Sequence, residues 1–204
     1  MADMPEKYYR AFPAPKGKCV CGVLKPELTS VEKTRKVNGH EVVKYYPVVN
    51  EPPIYWRSDE KVLCFSKTPG GAVIGSVTGE RGFKGGNRCV CVTEEQPDID
   101  ISHEMTGDFP VLEEVRFKRP VKTEVVGEFE VTDKLLKQIE HAYNTPIKTP
   151  IWENGEIVGW EENEEETTID LDKLERIKNR INRQVLGESK TVATATRKMT
   201  VSLG

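Results

Sequence analysis

No run of apolar residues in this 204-residue chain approaches the ~20 needed to cross a bilayer as a helix. The opening stretch, MADMPEKYYRAFPAPKG, lacks the apolar segment of a secretory signal. These two absences set the expected location as the cytoplasm or a virion, with no membrane partner. Strong charge of one sign is missing too. The net charge is −3, so no global field recruits nucleic acid. Histidine occurs three times, as His40, His103 and His141, none in a recognisable triad. His103-Glu104 does not open a H-E-x-x-H metal motif, because Gly107 holds the second histidine position. In GSVTG the serine comes one place too early for a nucleophile elbow. The glycine-rich stretch GERGFKGGNR, with Arg81, Lys84 and Arg88, lacks the G-x-x-x-x-G-K-[ST] pattern and reads as a loop between strands. The expectation is a non-enzymatic protein with no cofactor, no metal and no catalytic residues.

Five cysteines are present. Four fall in two Cys-Val-Cys triplets, Cys19/Cys21 in KCVCGV and Cys89/Cys91 in RCVCVT. On strands, each pair shares a face, and four sulfurs would cluster if the strands were neighbours. A one-residue gap on a straight strand suits a tetrahedral zinc ion poorly. A disulfide inside a triplet would be strained, and reduced thiols are the rule inside cells. Metal and disulfide readings stay open, but the expectation is that all five cysteines, Cys64 included, are free buried thiols.

The first 130 or so residues read mainly as strands. Val31–Val37 and His40–Tyr46 flank Asn38-Gly39, the favoured two-residue hairpin turn. Lys18–Leu24, Lys61–Ser66, Ala72–Thr78, Cys89–Thr93, Val111–Phe117 and Lys122–Val131 read as further strands. Pro69-Gly70-Gly71 reads as a turn, and the glycine within TEVVGEFEVT marks a bulge or a close backbone approach. The helical period arrives late. Asp133–Asn144 follows Thr132, a suitable N-cap, and aligns Leu135, Leu136, Ile139 and Tyr143. A second hairpin turns at Asn154-Gly155, with Trp152 and Trp160 on its arms. After the acidic run Glu161–Glu166, residues 170–186 align Leu171, Leu174, Ile177, Ile181 and Val185, and Gly187 is placed to stop that helix. The last stretch, TVATATRKMTVSLG, alternates apolar and polar residues as a strand does.

These elements predict a mainly β, α+β chain: a sandwich or barrel body with two helices and a C-terminal extended arm. Residues 1–149 form the body, with one helix near 133–144. Residues 150–204 form a hairpin, an amphipathic helix and the arm. The candidate interaction residues are Tyr45, Tyr46, Tyr55 and Trp56 of the proline-interrupted aromatic stretch, and Arg176, Arg180 and Arg183, a stripe on the last helix. Met199, Val201 and Leu203 of the arm complete the set. Aromatics and alternating arms are docking elements. The expected function is interaction and assembly with other protein subunits as an oligomer, for example a structural subunit of a phage or viral particle.

The stretch KVLCFSKTPGGAVIGSVTG, residues 61–79, resembles the strand–turn–strand of PUA-like and ASCH-type RNA-binding barrels. That resemblance implies a barrel and a nucleic-acid partner, and it supplies the alternative function.

Overall fold

The computed structural model describes residues 6–26, 30–37, 40–47, 62–78 and 82–199, and along 30–37, 40–47, 164–165 and 188–199 the backbone alone. The fold is α+β with more strand than helix. Its centre is a six-stranded antiparallel sheet built from β1 (Tyr8–Pro13), β5 (Leu63–Ser66), β6 (Gly86–Thr93), β7 (Ile99–Asp100), β8 (Glu114–Phe117) and β10 (Glu124–Val131), in the order β10-β6-β1-β5-β8-β7. The sheet is open rather than closed into a barrel, and β1 sits inside it between β6 and β5. Separate two-stranded sheets join β2 (Val23–Leu24) to β9 (Val121–Lys122), β3 (Ser30–Val37) to β4 (His40–Pro47), and β11 (Thr145–Glu153) to β12 (Glu156–Thr168). The β3–β4 pairing is the hairpin expected around Asn38-Gly39; the two turn residues themselves lie outside the described residues.

Strand alternation gives the central sheet two apolar faces. Tyr9, Ala11 and Val90 point to one side, where helices cover them. Those helices are α1 (Pro69–Val77), α2 (Phe109–Leu112), α3 (Asp133–Tyr143) and α4 (Leu171–Met199). Leu174, Ile177 and Ile181 of α4 are buried there, as the helical period predicts, beside Leu135 and Ile139 of α3. The other face carries Tyr8, Phe65, Val115 and Phe117, packed with Leu24 and Val121. Further along it lie Phe12, Cys89 and Cys91, under the segment that contains Cys19 and Cys21.

Four helices, not two, are present among the described residues, and α1 is the main correction. The stretch expected as a turn and a strand, Pro69–Thr78, is a helix as far as Val77, with Thr78 as its extended C-cap. Pro69 occupies its first turn, and the Thr68 hydroxyl caps it by accepting from Gly71 N at 3.0 Å. Seven of its nine residues are buried, so it shows no polar face and no helical period in sequence. Gly70 and Gly71 serve close approach: a Cβ on Gly70 would overlap the backbone oxygen of Lys178 on α4, and one on Gly71 the Ser66 hydroxyl. The strand–turn–strand likeness to PUA-type barrels therefore fails within residues 62–78, which hold a strand, Leu63–Ser66, and then a helix, Pro69–Val77.

Val111–Phe117 likewise splits into α2 and β8, and Lys18–Leu24 is irregular except for Val23–Leu24. The bulge expected at the glycine of TEVVGEFEVT is present, as a register shift between Val125 and Gly127.

At the C-terminal end α4 runs 29 residues, through Gly187 and on to Met199. The arm expected as a strand from Thr191 to Leu203 is helical as far as Met199; Val201 and Leu203 lie outside the described residues. Extending a formed helix fixes one residue per new hydrogen bond, and Gly187 costs only about 1 kcal/mol relative to alanine. A terminal strand needs a partner edge before it gains anything.

Candidate functional site

Three features can do something beyond holding the fold: a protruding ribbon, a cleft beside α4 and a cluster of sulfurs. The ribbon is β11–β12, whose turn residues Asn154 and Gly155 take φ of 51° and 84°, the left-handed pair that a two-residue hairpin turn demands. Its root is fixed where Asp170 N donates to Ala142 O at 2.8 Å, joining the start of α4 to the end of α3. Nine residues of β11 extend it by about 30 Å at about 3.3 Å per residue. Cross-strand pairs set its faces. Lys148 lies opposite Glu162, Pro150 opposite Trp160 and Trp152 opposite Ile157, so both tryptophans share one face. Trp152 and Trp160 are 61% and 60% exposed, and Ile151, Ile157 and Val158 are exposed too. That is an apolar surface on a ribbon which, among the described residues, pairs only with itself. Below it Lys148 meets Glu162 at 3.0 Å, and Glu161 and Glu166 of the acidic run are exposed.

The basic stripe on α4 is divided. Arg180 and Arg183 line an open cleft of about 860 Å³ between β10, α3 and α4, whereas Arg176 is exposed outside that lining. Arg180 donates to Gln138 Oε1 at 2.7 Å. Lys134 shares the cleft, but so do Glu128 and Glu130, so its charge is mixed rather than a phosphate-tracking basic groove. Lys178 turns inward. It is 5% exposed and ion-paired to Glu175 at 2.8 Å and Glu113 at 3.1 Å.

Arg88 does not serve an anion either. Its guanidinium is buried and donates to Ser76 Oγ and to the carbonyls of Lys84, Gly85 and Gly86, which shapes the loop ahead of β6. Burial without a counter-ion lowers its pKa.

Of the aromatic stretch, Tyr45 and Tyr46 lie on β4, where the backbone alone is described, and Tyr55 and Trp56 fall outside the described residues. Met199 closes α4. The expected interaction residues are therefore not gathered in one place by the described structure. The exposed tryptophans of the ribbon were visible in sequence as hairpin positions; their exposure was not.

The cysteines depart from expectation. Cys19 is bonded to Cys89 and Cys21 to Cys91, leaving Cys64 as the one free thiol. The reason is topological: β6 presents Cys89 and Cys91 on one face, and the chain after β1 folds back across that face. Gly17 N donates to the Glu128 carboxylate at 2.9 Å, and Thr123 N to Gly22 O at 2.9 Å, fixing both ends of the crossing segment. Cys64 lies apart on β5, where burial and then Glu114 push its thiol up to about 12.

No family model, no curated protein and no solved structure matches this chain.

Proposed function

We propose that this chain is a non-enzymatic assembly protein, of the kind that builds phage or viral particles, and that the β11–β12 ribbon docks it onto other copies of itself. The observation that carries the reading is the exposed Trp152/Trp160 face. A two-stranded ribbon is marginally stable in water by itself, and tryptophans are the anchors that interfaces concentrate near their centres. Charge supplies the orientation. The ribbon carries exposed Glu161, Glu162 and Glu166, while α4 carries exposed Arg176, Arg180 and Arg183. An acidic ribbon meeting a basic helix on the next copy is a head-to-tail contact, which propagates into rings or filaments.

The test is light scattering and sedimentation over a concentration series. Wild type should gain mass with concentration, and more so at low salt. The double substitution Trp152→Ser and Trp160→Ser should keep the circular dichroism spectrum and remain monomeric. Wild type that stays monomeric throughout refutes the reading. A shift that appears only with added oligonucleotide would support the nucleic-acid alternative instead.

A further inference from the structure

The sulfur cluster has a geometry that two disulfides alone do not require. Cys21 Sγ lies 3.7 Å from Cys89 Sγ, across the two bridges rather than along either. The sulfurs of Cys19, Cys21 and Cys89 all fall within 4.8 Å of one another; Cys91 lies outside that group of three and is tied to it by its bond to Cys21. Four thiolates about 2.3 Å from a tetrahedral zinc stand about 3.8 Å apart. We propose that, once reduced, Cys19, Cys21, Cys89 and Cys91 bind one zinc ion as a tetrathiolate, with the disulfide-bonded arrangement as its oxidised counterpart.

Three further observations support the site. The first is that the sulfurs are positioned by other contacts. The Gly17–Glu128 and Gly22–Thr123 hydrogen bonds, together with the β2–β9 pairing, anchor both ends of residues 18–21 over β6 in addition to the bridges. Cys19 and Cys21 occupy irregular backbone, not a strand, so the objection to a one-residue gap does not apply to that pair.

The second is redundancy. Both bridges span 70 residues and join the same two segments. Once one is closed, the other shuts only a small ring and removes little further chain entropy. A tetrathiolate needs all four sulfurs.

The third is Arg10. It stands directly opposite Cys91 in the β1–β6 register, and its buried Nε meets no acceptor. Its Nη1 is anchored on Cys64 O at 2.6 Å. A zinc tetrathiolate carries two net negative charges, and a neighbouring half-buried cation with a buried N–H to spare offsets them.

The chemistry balances. Each of two phosphine reductant molecules opens one bridge, gives two thiols and leaves as its oxide with oxygen taken from water. Zinc then displaces four protons from four thiols without changing oxidation state.

The full chain, reduced with a phosphine under anaerobic conditions, should be titrated with cobalt(II) as the spectroscopic probe. The expected result is one cobalt per chain, with thiolate-to-metal charge transfer and the strong visible absorption of a tetrahedral tetrathiolate, displaced by zinc. Cys21→Ser and Cys91→Ser should each lose that spectrum, and Cys64→Ser should keep it. Arg10→Gln should keep the spectrum but surrender the metal to a competing chelator about tenfold more readily. In wild type, zinc should shield Cys19, Cys21, Cys89 and Cys91 together from alkylation, a readout that needs no variant to fold. No cobalt uptake by reduced wild type, an unchanged spectrum in Cys91→Ser, or zinc that shields none of the four would each overturn the site.

Discussion

Charge at single residues is satisfied here by several different means, in the interior at Arg88 and Lys178 and at the surface at Asp100. Arg88 is met by carbonyls, Lys178 by two carboxylates, and Asp100 by Ser102 and by Lys67 at 3.0 Å. Burial pushes the Asp100 carboxyl up, but the Ser102 hydrogen bonds and the Lys67 ammonium outweigh it and hold the group at about 2, below its ordinary 3.8. A carboxyl lowered in this way stabilises the fold above its unfolded value and stops doing so as the pH falls through the folded one. Asp100→Asn should therefore cost up to about 1 kcal/mol near neutrality, given the partial exposure of the pair. The difference in melting temperature from wild type should close between about pH 4 and pH 2. Thermal melts across that window check it; a gap of constant size would assign the loss to something other than the charge. Ile177 offers a larger effect. It is buried among the helices, and Ile177→Asp should cost about 3–5 kcal/mol through lost apolar burial and an unpaired carboxylate. An unchanged denaturation midpoint would show that α4 does not pack there.

At the scale of elements, legibility followed periodicity. The helix α3, its Thr132 cap and both Asn-Gly hairpins carry local signals that survive folding, because their turn and cap chemistry acts within a few residues. The helix α1 does not. It is surrounded by α2, α4 and the sheet, so PGGAVIGSV shows no polar stripe, and its glycines imitate a turn. The pair Thr68-Pro69, a cap followed by proline in the first turn, was the available clue. The C-terminal alternation misled for the opposite reason: residues that suit a strand also extend a helix already formed. The ribbon can be tested separately from the core. Gly155 holds a φ of 84°, which a β-branched side chain adopts only under strain. Gly155→Val should therefore speed amide exchange along β11 and β12 while leaving the main unfolding transition in place. Loss of both together would mean that the ribbon and core unfold as one unit.

At the scale of the whole molecule, the two bridges tie the N-terminal segment to β6 across 70 residues. A loop of that length is worth about 4 kcal/mol in the chain-entropy account. Removing both bridges from the oxidised protein should cost about that much, and removing only Cys21 and Cys91 should cost far less. Denaturant melts of the single-bridge and bridge-free variants decide it; equal losses for each bridge would break the argument. The sequence showed four cysteines on matching spacings but not their meeting, because that depends on the crossing of residues 17–22 over β6. Docking through Trp152 and Trp160 was legible as a hairpin with aromatic arms, whereas their solvent exposure is decided by what the rest of the chain leaves uncovered. The interior position of β1 also bears on how the protein is made. β1 ends at Pro13 and its partner β6 begins at Gly86, so a ribosome adding roughly 5–20 residues per second needs about 4–15 s between them. Until that interval ends, β1 with Tyr8, Tyr9 and Phe12 has at most β5 beside it and lacks the β6 partner that pairs along its whole length. The wait between β1 and β6 is therefore when this polypeptide most needs a chaperone, and codons that delay residues 14–86 would lengthen that exposure.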